Sequence, residues 1–101
     1  MAVKVSGSYI EQKDVADEPG TSVSVGTSSV EVAADNPDRA EIVVQNDHAT
    51  QVVYLSLGGT AVANNGIRLN AAGGSWISNS YTGAVNAIAS GAATNVLVTE
   101  V

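Results

Sequence analysis

The chain has 101 residues, no cysteine, no phenylalanine and a formal net charge of -6 at pH 7. That length suits one domain, and the lack of cysteine excludes disulfide frameworks, thiolate metal sites and cysteine nucleophiles. The only cations, Lys4, Lys13, Arg39 and Arg68, are scattered, so neither a nucleic-acid partner nor attachment to an anionic membrane is expected.

The first twenty residues differ from the rest. Met1 to Ile10 has no positive stretch followed by an apolar one, so a secretory signal is not expected there. No apolar run approaches the roughly 20 residues that span a bilayer. Synthesis in the cytoplasm is the expectation. Val3, Val5 and Ile10 are the main apolar residues here, before a charged run that ends in Pro19-Gly20. Such a segment has too little apolar surface to fold alone. Residues 1–20 therefore read as an extended arm that orders on a neighbour, or as a frayed tail. Val3-Lys4-Val5-Ser6 alternates and allows a short edge strand.

From Thr21 the pattern becomes strands and turns. Ser22 to Val25 alternates and Gly26 closes it. Val30 to Ala33 alternates again, before the turn cluster Asp35-Asn36-Pro37-Asp38. Ala40 to Asn46 is the strongest strand, with Ile42 and Val44 facing one way. Asp47 to Thr50 reads as a hairpin loop into a strand over Val52 to Leu57, and Gly58-Gly59 turns the chain. Asn64-Asn65-Gly66 is a turn, since Asn and Gly tolerate positive φ. Ile67 to Leu69 and Ser75 to Ser78 are short strands separated by Ala71 to Gly74. Ala84 to Ala89 and Asn95 to Val101 are the last two strands. No segment holds a helical period.

These short strands, with turn signals every 8–12 residues or so, predict an all-β antiparallel fold. A β-sandwich of jelly-roll type, or a small barrel, over residues 21–101 fits. The apolar content is mostly Val and Ala, and Ala contributes little buried area. A monomer built this way is thinly insulated, so subunit contacts are expected.

Little in the sequence points to chemistry. His48 is the only histidine. It neighbours Asp47, but adjacency in sequence does not make an oriented catalytic pair, and there is no Gly-x-Ser-x-Gly elbow. The carboxylates lie in turns or at outward positions such as Glu31 and Glu41, not as a facing pair. Asp35, Asn36 and Asp38 offer oxygen atoms of the kind Ca²⁺ takes, yet the same residues are ordinary turn chemistry. One histidine without cysteine argues against zinc. Gly58-Gly59 and Gly73-Gly74 have neither the lysine nor the helix of a phosphate loop. No catalytic residue, metal or cofactor is expected. Trp76 fills the core if buried, or stacks on a sugar if exposed. Tyr54 poses the same choice, and Tyr81, in a loop, is a candidate contact residue.

One resemblance is carried by an ordered series of short phrases. They run from Asn36-Pro37-Asp38-Arg39 and Ile42-Val43-Val44-Gln45-Asn46 through Val53-Tyr54-Leu55, Gly58-Gly59-Thr60-Ala61 and Gly66-Ile67-Arg68-Leu69. Gly73-Gly74-Ser75, Tyr81-Thr82-Gly83-Ala84-Val85, Ala87-Ile88-Ala89-Ser90-Gly91 and Val96-Leu97-Val98-Thr99-Glu100 complete it. The series resembles small β-sandwich accessory proteins of tailed bacteriophage particles: head decoration or cement proteins, head fibres and tail-associated modules. The resemblance implies a virion protein on the capsid surface, made in the host cytoplasm, with the major capsid protein as partner and a homotrimer as its form. It implies no catalytic residue. The contact residues it suggests are Val3, Val5, Tyr9 and Ile10 of the arm, with Tyr81. A fibre or tail module recognising host glycans, and a head–tail joining protein, are the alternatives.

Overall fold

A computed structural model describes residues 20–101. Eight strands form: β1 (Thr21–Val25), β2 (Val30–Ala33), β3 (Ile42–Asn46), β4 (Val53–Leu57), β5 (Ile67–Leu69), β6 (Ser75–Ser78), β7 (Val85–Ala89) and β8 (Thr94–Glu100). Among the described residues there is no helix. Two-residue periodicity dictates which side chains are inside. In β3, Ile42, Val44 and Asn46 are buried, while Val43 and Gln45 are half-buried on the other face. In β8, Thr94, Val96 and Val98 are the buried set.

The strands make two four-stranded sheets, ordered β1-β8-β3-β6 and β2-β7-β4-β5, with every pairing antiparallel. The first strand pairs with the last, β2 with β7, β3 with β6 and β4 with β5. A long antiparallel hairpin rolled up on itself produces this order, and it is the jelly roll. The sandwich, not the barrel, is therefore the architecture.

Most expected strands fall within a residue or two of those observed. One connection differs. Asp47 to Thr50 was expected to turn a hairpin, but β3 and β4 lie in different sheets, so this loop crosses the sandwich. Only β4 and β5 are consecutive and paired. Side-chain alternation marks a strand but does not specify its neighbour. The predicted arm, with its possible strand over Val3 to Ser6, lies outside the described residues.

Between the sheets lies a core of small aliphatic side chains. Val25, Ile42, Val44, Val53, Val85 and Val96 are fully buried, and each contributes roughly 1.5–3 kcal/mol. Trp76 and Tyr81 pack against its margin. In β2 the register with β7 shifts between Glu31 and Ala33. This bulge turns both Val32 and Ala33 inward.

Each end of the sandwich closes on a buried polar side chain. At one end Arg39 donates from Nε to Glu100 Oε1 (2.8 Å), from Nη1 to the carbonyls of Tyr81 (3.1 Å) and Gly83 (3.0 Å), and from Nη2 to that of Ala34 (2.9 Å). At the other end Asn46 Nδ2 donates to the carbonyls of Gln51 (2.7 Å), Leu69 (3.1 Å) and Asn70 (3.3 Å), and its Oδ1 accepts from His48 N (3.0 Å). Among the described residues no buried side-chain nitrogen or oxygen lacks a partner.

Candidate functional site

The residues that sequence reasoning considered for chemistry are built into the scaffold. His48 Nδ1 accepts from the amides of Thr50 and Gln51, both at 3.0 Å. An acceptor Nδ1 leaves the ring proton on Nε2, and the histidine acts as a turn cap. Asn36 Oδ1 accepts from Asp38 N (3.1 Å), and the Asn36 carbonyl accepts from Arg39 N (3.0 Å). The turn cluster thus presents the buried Arg39. No group of three or more histidines and carboxylates is placed to hold a metal among the described residues, and no cleft or closed cavity is found there.

Trp76 faces inward, opposite Val44, on edge strand β6. It meets Tyr81 edge to face, with ring centroids 6.3 Å apart. Tyr81 is itself half-buried, and its hydroxyl donates to the Ala84 carbonyl (2.7 Å). The structure thus brings Trp76 and Tyr81 together at the core margin. Val3, Val5, Tyr9 and Ile10 lie outside the described residues, so nothing places them beside Tyr81.

What remains are the two outer sheet faces, and they are unlike. The face of β2-β7-β4-β5 is covered by the β4–β5 loop. Asn86 Nδ2 donates to the Gly59 carbonyl (2.6 Å), Tyr54 Oη to Asn64 Oδ1 (2.9 Å) and Ala61 N to Ser29 Oγ (2.9 Å). Beneath this cover Tyr54 is buried, with the Arg68 guanidinium 6.0 Å from its ring centre. Both edges carry an exposed charge, Glu31 on β2 and Arg68 on β5.

The face of β1-β8-β3-β6 has no such cover among the described residues. Its outward side chains are Ser, Thr, Asn and Gln with Val43, Leu97 and Ile77, and none is charged. Ile77 pairs with Val43 across the β3–β6 ladder. Val43 lies opposite Thr99, and Leu97 opposite Gln45, so Leu97 is diagonal to Val43. Ile77 is 59% exposed, the most of any large hydrophobic residue described. Neither edge strand, β1 or β6, contains a charge or a proline. Sequence reasoning did not single out Ile77. The two-residue period places Ile77 outward once Trp76 is turned inward, a choice the sequence left open.

Compared with known proteins, the chain matches no family model, no curated protein and no solved structure.

Proposed function

We propose that the chain is a non-enzymatic structural protein of a bacteriophage particle, binding the outer surface of the head lattice as a decoration protein. The observation that carries this reading is that, among the described residues, the jelly roll has no cleft and one open, uncharged sheet face. Small-molecule sites are concave, whereas a flat face of hydroxyl, amide and aliphatic groups suits another protein surface. The phrases that resemble virion accessory proteins suggest the particle context, and many copies on a lattice gain avidity from individually weak contacts. A glycan-binding fibre module would call for an open aromatic platform, and Trp76 is instead turned onto the core.

The test is cosedimentation of the purified protein with empty heads of the parent phage. Saturable binding at a fixed number of copies per lattice position is expected. Replacing Val3, Val5 and Ile10 with serine is expected to weaken it by the arm's share. Absence of cosedimentation with intact, expanded heads would overturn the reading.

A further inference from the structure

We infer that the outer face of the β1-β8-β3-β6 sheet, centred on Val43, Leu97 and Ile77, is the surface through which copies of this chain associate with one another. This rests on the proposed reading in taking the open face as a protein-contacting surface, and it names a second copy of the chain, not the lattice, as what that face meets.

The occupant follows from charge and from edge design. Each copy carries a net charge of -6, so two copies repel wherever acidic surface meets acidic surface. The face of β1-β8-β3-β6 avoids this penalty, because its outward side chains are neutral from edge to edge. A basic partner finds no carboxylate at its centre, since Glu41 and Asp47 stand just beyond the two ends of β3. Neutral hydroxyl, amide and aliphatic groups are complementary to themselves, as a symmetric contact requires.

Sheet edges protected by charge resist pairing with another chain. The covered sheet has that protection in Glu31 and Arg68, and the open sheet lacks it on both β1 and β6. Among the described residues, the same sheet thus leaves both its face and its edges available. The Val and Ala core is thin, and covering Ile77, Val43 and Leu97 adds apolar burial that one copy cannot supply.

The test is the solution mass of the full chain by light scattering on a sizing column, for the unaltered protein, Ile77→Asp and Val62→Asp. Val62 is 54% exposed but lies in the β4–β5 loop, away from the face. The unaltered protein is expected at two or three times its 10.2 kDa chain mass. Ile77→Asp is expected to drop to one chain mass with an unchanged circular dichroism spectrum, and Val62→Asp to keep the multimer. Should Ile77→Asp not fold, Ile77→Thr, which retains the β-branch, is expected to raise the dissociation constant several-fold. Higher salt should leave the multimer intact or strengthen it, because the surrounding charges are alike. A monomer at all concentrations would overturn the inference, including one whose Ile77→Asp form loses only capsid binding. So would an Ile77→Asp multimer, equal dissociation by Val62→Asp, or dissociation by salt.

Discussion

Asn46 and Arg39 show how much one buried polar side chain can organise. Asn46 is fully buried, and its amide nitrogen faces three carbonyl oxygens. Asn46→Asp keeps the shape but removes the donor and sets a carboxylate against those carbonyls. A cost of about 3 kcal/mol is expected, read as a lower urea midpoint with the slope unchanged. Arg39 ties the β2–β3 loop, the β6–β7 loop and the end of β8 into one cluster, with its side chain 1% exposed against 30% for Glu100. Arg39→Lys retains the charge but not the planar fork. It is expected to lose about 2 kcal/mol, and Arg39→Ala about 3 kcal/mol or more. A thermal melt of Arg39→Lys coinciding with the parent's would refute this role. The sequence announced the two residues differently. Asn46 falls on the buried parity of Ile42 and Val44, so its inward position was legible. Arg39 was only one of four scattered cations, because Tyr81, Gly83 and Glu100, three of its four partners, are 42 to 61 residues away along the chain.

At the scale of the element, the β4–β5 hairpin is the most locally determined piece. Its turn needs left-handed backbone, with Asn64 at φ 65° and Gly66 at φ 84°. A Cβ on Gly66 would strike the carbonyl oxygen of Leu55 on the facing strand. Gly66→Ala therefore combines a backbone penalty with a collision against a ladder atom. It is expected to cost about 2 kcal/mol and to speed exchange of the β5 amides, observable by NMR. Turn chemistry made the turn readable, though not the pairing of its strands, since the Asn-Asn-Gly requirement is local. The Asp47 to Thr50 loop shows the limit. Its residues also suit a tight turn, and His48 does cap one, but the strands it joins are divided between the sheets. Which strand a segment pairs with depends on residues far away.

For the whole molecule, the rolled-up topology makes both ends of the described chain indispensable. β8 sits between β1 and β3, and Val101 continues the pairing, its amide donating to the Glu41 carbonyl (2.9 Å). Long loops must close before these pairings form, so folding is slow for the size. Refolding from urea is expected in the range of about milliseconds to seconds, measured by Trp76 fluorescence. A microsecond phase accounting for the full amplitude would contradict it. Removing Thr99 to Val101 takes Glu100 from Arg39 and the last pairing from β3. That truncation is expected to unfold the protein at 37 °C, as checked by circular dichroism.

The sequence by itself determined the all-β class, nearly every strand, the shared face of Ile42 and Val44, and the Asn-Gly turn. Periodicity and turn chemistry act over two to four residues, and so can be read locally. Only the tertiary structure decided the jelly-roll order, the clamps at Arg39 and Asn46, the inward turn of Trp76 and the contrast between a covered sheet face and an open one. Those features arise from pairings between distant strands. Packing the two sheets together selects among pairings that the local pattern leaves equally satisfied.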